Sequence, residues 1–293
     1  MNKIVFLSAF LFSLSALTYS QDADNHQNEP KDGKSVKLVS FNICVNPFSD
    51  ERIWSNRKKL ISSMVRTCDW DIIGTQEGSV EMMNDLCVLS GGYQWLGRAA
   101  YEGDNAVCMA VMYKSSRFDV LESGDFWYSE TPDIPGSMAW DAPYIAKCTW
   151  VKFRDKSRKK VFYFFNSHYS ASTKVSAAYA RSRSSLLMMD KIKEIAGNDS
   201  KVFAAGDYNS VPGSAAINNI LARGFLKDSR TLSEQLPSGP DNTFNGWQTP
   251  NNAKYDWIFV SAGIRVLSYN VLNNRPNGQF PSDHDPVVID VEF

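Results

Sequence analysis

Val202-Phe203-Ala204-Ala205-Gly206-Asp207-Tyr208-Asn209-Ser210 begins as an apolar run and ends on polar residues. A short apolar run of this kind reads as a strand buried on both faces. Helix-period segments flank it. Residues 176–196 carry Leu186, Leu187, Met189, Ile192 and Ile195 at helical spacing, and residues 217–222 form a second, shorter helix. A helix–strand–helix unit buries a sheet beneath helices, which places the chain in the α/β class.

The same pattern holds outward. Residues 36–45 read as a strand. A helix capped by Ser49 or Asp50 follows, with Ile53, Leu60, Ile61, Met64 and Val65 on one face. Residues 71–76 form a strand and 80–89 a helix. The middle is β-rich, with strands at 107–113, 120–127, 147–153 and 161–166; polar turns between them predict antiparallel pairing. One such turn, Lys156-Ser157-Arg158-Lys159-Lys160, is basic and reads as a solvated hairpin. Strands at 255–260, 264–271 and 287–293 complete the chain, and no repeat of 20–50 residues is present. Two sheets packed face to face with helices outside accommodate this order.

With 293 residues, 43% of them hydrophobic and 13% aromatic, one large core is expected. Lys and Arg number 31 against 32 Asp and Glu, a net charge of -1. That balance excludes the basic field of a protein gripping a polyanion nonspecifically, so no stable nucleic-acid complex is expected. Lys3, the apolar residues 4–17 and the small residues between 15 and 20 form a signal peptide over 1–20. This stretch is too short for a membrane span, so an exported, periplasmic or extracellular monomer is expected. Residues 21–35 contain no large apolar side chain and read as a disordered leader ahead of a domain at 36–293. The five cysteines, at 44, 68, 87, 108 and 148, contain no C-x-x-C pair and read as buried thiols, with one disulfide left open.

Polar residues at strand ends carry the chemistry. Asp207 and Asn209 either reach one site together or bond their own backbone in a turn. His284, in Ser282-Asp283-His284-Asp285-Pro286, lies between two aspartates, which raises its proton affinity. Asp256, in Tyr255-Asp256-Trp257-Ile258-Phe259, is the carboxylate to orient it, since a charge in that setting needs a partner. Glu77, Asn42 and Asp283 supply the hard oxygen ligands that Mg²⁺ or Ca²⁺ takes, and no three-His or thiolate set favours zinc.

In order, the tracts Phe41-Asn42, Gln76-Glu77, Asn166-Ser167-His168, Gly206-Asp207-Tyr208-Asn209, Tyr255-Asp256-Trp257-Ile258-Phe259 and Ser282-Asp283-His284 resemble the endonuclease/exonuclease/phosphatase superfamily. Two further segments, Phe126-Trp127-Tyr128-Ser129-Glu130-Thr131-Pro132 and Thr243-Phe244-Asn245-Gly246, resemble an exported bacterial branch of it. The resemblance spans residues 36–293. It implies a deoxyribonuclease I-like, four-layer α/β/β/α sandwich of two packed mixed β-sheets, and Mg²⁺-dependent attack of water on phosphorus, with Mn²⁺ or Ca²⁺ as alternatives. It further implies Glu77 as principal metal ligand with Asn42 beside it and Asp283 near the metal. Asp207 would orient or deprotonate the water, and Asn209 would bind a phosphate oxygen. Asp256 would orient His284, and His168 would approach the phosphate from the other side. Three positions depart from the superfamily pattern. Ser170 and Ala171 stand where relatives often have a second acidic-histidine pair, and Lys254 replaces an arginine. Val107 occupies the place of a glutamate that supports the His168-type residue, with Asp104 and Asn105 nearby. The expected activity is phosphoester hydrolysis, with diesters favoured, on nucleotides, phospholipid headgroups or sugar and inositol phosphates. The rival is a non-catalytic module that retains the fold and holds a phosphorylated or glycan ligand.

Overall fold

Alternation along β1 (Val36–Asn42) sends Val36, Leu38, Ser40 and Asn42 to one face of its sheet and Val39 and Phe41 to the other. All six are buried, so this sheet is covered on both sides. The computed structural model describes residues 35–45, 52–103 and 106–293. The expected signal peptide, all but Ser35 of the expected leader, Ser49, Asp50 and the Asp104-Asn105 pair lie outside the described residues. The helix expected to be capped by Ser49 or Asp50 starts later, with Ile53 as its N-cap and exposed rather than on its buried face.

After β1 come α1 (Trp54–Thr67), β2 (Ile72–Ser79), α2 (Val80–Ser90), β3 (Tyr93–Leu96) and β4 (Val107–Lys114). The second sheet begins with β5 (Phe118–Trp127), β6 (Lys147–Asp155) and β7 (Val161–His168). Then follow α3 (Val175–Ala196), β8 (Val202–Asp207), α4 (Ala215–Ala222), β9 (Leu226–Asp228), α5 (Ser229–Leu232), β10 (Asp256–Ser261), β11 (Arg265–Val271) and β12 (Val287–Glu292). The first sheet runs β11-β12-β1-β2-β4-β3 and the second β5-β6-β7-β8-β10-β9. Each sheet has one parallel pair bridged by a helix: β1 with β2 through α1, and β7 with β8 through α3. The remaining pairs are antiparallel, including β5 with β6, joined through residues 128–146, and the β6–β7 hairpin.

Three apolar clusters separate four layers. Between the sheets lie Leu38, Ile72, Val111, Phe153, Phe164, Phe203, Ile258 and Ile289. Val39, Phe41 and Ile73 pack outward against Ile61 and Val65 of α1 and Met83 and Leu86 of α2. On the far side, Phe165, Ala204 and Phe259 pack under Met188 and Ile192 of α3 and Ile217 and Ile220 of α4. This is the expected α/β/β/α sandwich.

Two further sequence expectations are corrected. The buried face of α3 is Met188, Met189 and Ile192 together with Ala177, Ala180, Ser184, Ser185 and Ala196, whereas Leu186 and Leu187 are half-buried. Small residues win the inner positions because α4 presses close: Asn219 Nδ2 donates to Ser182 O and to Ser185 Oγ at 3.1 Å. Strands β3 and β9, four and three residues long, were not anticipated because neither is long enough to show a period. The basic hairpin is as expected: Asp155 Oδ1 accepts from Ser157 N at 3.0 Å and Arg158 N at 3.1 Å, and Lys159 takes a φ of 58°. All five cysteines are free thiols.

Candidate active site

Residues directly opposite one another in a ladder share a face. In the second sheet, Trp127, Lys147, His168, Asp207 and Asp256 stand in one such row across β5, β6, β7, β8 and β10. This row continues the face that carries Phe164, Phe203 and Ile258 into the inter-sheet core. The site therefore forms where that face runs out of apolar side chains. On the facing sheet, Asn42 and Gln76 lie opposite each other at the last pair of the β1–β2 ladder. Gln76 Nε2 reaches across to Asn166 Oδ1 at 2.7 Å, and Asn166 Nδ2 returns to Thr75 O at 2.8 Å and Ala110 O at 2.9 Å. These amides fix the spacing of the two sheets beside the site.

Alternation alone would send Glu77 to the helix-covered face with Ile73 and Thr75. The ladder slips between Thr75 and Gly78, and Glu77 adopts a left-handed φ of 61°. Such a bulge re-aims a side chain. Here it turns the carboxylate inward, where Oε1 accepts from Asn42 Nδ2 at 3.0 Å. The same Nδ2 donates to Asp207 Oδ2 at 3.0 Å, and Asn42 Oδ1 accepts from Cys44 N. Asn42 thus ties together one carboxylate from each sheet.

Asp207 Oδ2 has a histidine on either side, with His168 Nε2 at 3.5 Å and His284 Nε2 at 3.7 Å. His284 Nδ1 meets Asp256 Oδ2 at 2.7 Å. The loop bearing His284 is held by Ser282, whose hydroxyl donates to Asn42 O at 2.7 Å, and by Phe244, whose ring lies 4.9 Å from the imidazole. Asp256 Oδ2 also accepts from Thr243 Oγ1 at 2.6 Å. Thr243 was not singled out as a site residue. Its tract was visible, but its role depends on a loop bonded to residues 283–285 through Asn245 N and Asp285 N.

Burial opposes charge on both histidines, yet the carboxylates outweigh it. Asp256 and Asp207 hold the His284 proton affinity well above its ordinary value. Asp207 and Glu77 raise that of His168. Burial would raise Asp207, but His284, His168 and the Asn209 amide bring it down to about 2. The centre is thus an aspartate between two histidines whose proton affinities its charge raises.

Among the described residues, the carboxylates paired with His168 are Glu77 and Asp207. Val107, on β4, pairs with Ser79 of β2, and the charge support for His168 comes from Glu77 on β2 and Asp207 on β8 instead of from β4. Asn209 leaves the extended path at a φ of 46°, donates its N–H to Asp207 Oδ1 at 2.8 Å and sends Nδ2 to Tyr169 O at 3.0 Å. The turn is therefore made by Asp207, whose Oδ1 bonds the backbone two residues on while its Oδ2 serves the centre; the Asn209 side chain is held against Tyr169 O. Lys254 lies apart, 3.3 Å from Asp228 and 3.6 Å from the centre of the Trp257 ring. Ser170 Oγ accepts from Tyr144 N.

Asp207, Asp256 and His284 bring ligand-type atoms within 4.8 Å of one another. In that trio His284 Nδ1 is committed to Asp256, which suits a proton-holding pair better than a cation cage. Glu77 and Asp283 suit a hard divalent cation. Burial raises the Asp283 pKa and the Glu77 charge raises it further, against His284. The nearest guanidinium, Arg57, spends its N–H groups on the carbonyls of Ile43, Cys44 and Pro281. Two carboxylates, one raising the other's proton affinity in this way, suit the hard oxygen ligation of an Mg²⁺-type cation.

The sequence profile of the Endonuclease/Exonuclease/phosphatase family matches residues 39–284. A mannosyl-6-phosphatase of Bacteroides thetaiotaomicron is 32% identical, with a TM-score of 0.80 over 88% of this chain and 100% of that one. An endonuclease/exonuclease/phosphatase protein of Bacteroides vulgatus is 30% identical, with a TM-score of 0.82 over 89% of this chain and 99% of that one. A protein of Acanthamoeba polyphaga mimivirus is 26% identical over 277 residues, 87% of this chain and 98% of its own length.

Proposed function

This chain belongs to the endonuclease/exonuclease/phosphatase family, and from that membership we propose that it is a divalent-metal-dependent phosphoesterase whose substrates include phosphorylated sugars. The row of His168, Asp207 and Asp256, closed by His284, is the observation that carries this reading. Glu77 and Asp283, with Asn42 beside them, would hold the cation, which when bound would polarise a phosphoryl oxygen and offset its charge. Asp207 accepts a hydrogen bond from the attacking water and aims it at phosphorus. His168 and His284 face the phosphate as imidazolium groups and stabilise the charge that builds up on it. Asp256 keeps the His284 ring oriented and its proton on the ring. His168 Nε2, buried 3.5 Å from Asp207 Oδ2 and 3.9 Å from Glu77 Oε1, makes no close hydrogen bond among the described residues, which leaves its N–H able to turn to a ligand oxygen.

The sequence favoured diesters. Likeness to the mannosyl-6-phosphatase supports monoesters of sugars, and we adopt that class. The test is turnover of sugar phosphates and simple diesters with Mg²⁺, Mn²⁺ or Ca²⁺. Metal-dependent hydrolysis with sugar monoesters preferred is the expected result. Tight binding without turnover would make the protein a binding module instead. Export is part of the same proposal, supported by Lys3 and the apolar run after it. A secreted form still carrying Met1 would count against it.

A further inference from the structure

Beside the catalytic centre lies a cleft of about 400 Å³ lined by Arg181, Asn209, Ser210, Ser214, Phe244 and Tyr255. We propose that it is the subsite for the ring of a phosphorylated sugar, an inference that rests on the phosphoesterase reading above. The cleft shares walls with the centre. Asn209 N bonds Asp207 Oδ1 at 2.8 Å, and the Phe244 ring lies 4.9 Å from His284. Whatever fills it is therefore attached close to the phosphate.

Its chemistry is that of a polyhydroxylated ligand. Ser210 is 4% exposed, and its hydroxyl is buried with no hydrogen-bond partner. Ser214 is the N-cap of α4, where a hydroxyl ordinarily accepts from the first helical N–H groups, yet it makes no such bond and is also buried without a partner. A buried hydroxyl left unpaired is costly, and a ligand hydroxyl would offset that cost. Arg181 is anchored through Nη1 to Ser170 O at 3.0 Å and Ser172 O at 2.9 Å, so its guanidinium is held in place at the cleft wall. The opposite wall is apolar: the Phe244 and Tyr255 rings lie 5.6 Å apart at 36°. A sugar has the matching division, with C–H faces for the aromatic wall and hydroxyls for the serines, Asn209 and Arg181. An anionic group fits less well, because Arg181 is the one cation among the cleft residues and it lies in the field of Asp207.

The test compares kcat/KM for a hexose 6-phosphate and for phenyl phosphate, which has no hydroxyls, in the wild-type protein and in Ser210→Ala and Ser214→Ala. Removing a hydroxyl that has no partner leaves the fold intact, which thermal melting verifies. The expected result is a hexose-to-phenyl ratio that falls roughly 5- to 10-fold in each variant, the scale of one lost hydrogen bond. A ratio unchanged in both variants, or equal losses on both substrates, overturns the subsite while leaving the phosphoesterase intact. Preference for a hexose bisphosphate, abolished by Arg181→Gln, would also overturn it, in favour of an anion site. A wild-type protein inert toward every phosphoester removes the functional reading, and the subsite with it.

Discussion

Asp207 is the residue on which the chemistry converges. Its Oδ2 atom faces Asn42, His168 and His284, while Oδ1 accepts the Asn209 amide. Held down at about 2, this carboxyl is ionised throughout the working pH range and is a weak base. Under the proposed mechanism its contribution is to aim the water. Asp207→Asn keeps the shape and removes the charge, so kcat should fall by roughly 10²–10⁴-fold with KM little changed. His284→Ala should lose kcat on the same scale. Steady-state kinetics of folded variants checks both, and near-wild-type rates would displace these residues from the centre. Thr243 acts one step further out. Its hydroxyl donates to Asp256 and accepts from Tyr255 N and Asp256 N. Thr243→Val removes a hydrogen bond to a charged group, worth about 1.5–3 kcal/mol, and kcat should drop about 10-fold or more. Thr243→Ser should restore most of it. Equal losses in both variants would mean that the methyl group matters and the hydroxyl does not.

Gly74 in β2 shows how tightly the elements meet. A Cβ there would come 2.7 Å from Asn166 Oδ1, and Asn166 is pinned by Gln76, Thr75 O and Ala110 O. Gly74→Ala should therefore cost about 1–3 kcal/mol in urea unfolding. Combined with Asn166→Ala, the cost should be less than the sum of the two single changes, because the second removes the clash. The β6–β7 hairpin gives a pH dependence. Burial would raise Asp155, but Ser157, the Arg158 amide and Arg117 hold its carboxyl below the ordinary range. The unfolded chain then binds the proton more readily, so this contribution is present above the ordinary carboxylate range and is lost as pH falls through the depressed folded value. Asp155→Asn should unfold with a shallower pH slope below about pH 4. A slope identical to wild type would exclude the hairpin as an acid-sensitive element. The strands and their polar ends were legible because the apolar runs of β1, β2, β7 and β8 run into Asn42, Glu77, His168 and Asp207. The row itself was not. Whether His168 faces Asp207 depends on register between distant strands, and nothing in the local sequence states it. Nor does the sequence announce that Glu77 turns inward, since that follows from one left-handed residue at a bulge.

At the scale of the whole molecule, the site straddles the two sheets. Asn42, Glu77 and the His284 loop come from one, and His168, Asp207 and Asp256 from the other. A cation at Glu77 and Asp283 should therefore favour the folded state as well as the reaction. Chelator should reduce turnover to background, added Mg²⁺ should restore it and raise the melting temperature, and Glu77→Ala should erase that rise. Full activity in excess chelator would end the metal reading. The placement of β12 bears on how the protein is made. It follows His284 in sequence, yet it lies between β11 and β1, pairing Val36 with Val291. A ribosome has thus joined every acid, base and ligand before the strand that ties β1 to β11 exists. Pairing across such a span is slow to form. The nascent polypeptide should stay inert until that strand emerges, and a frameshift or protease cut just after His284 would keep all the chemistry and abolish the enzyme.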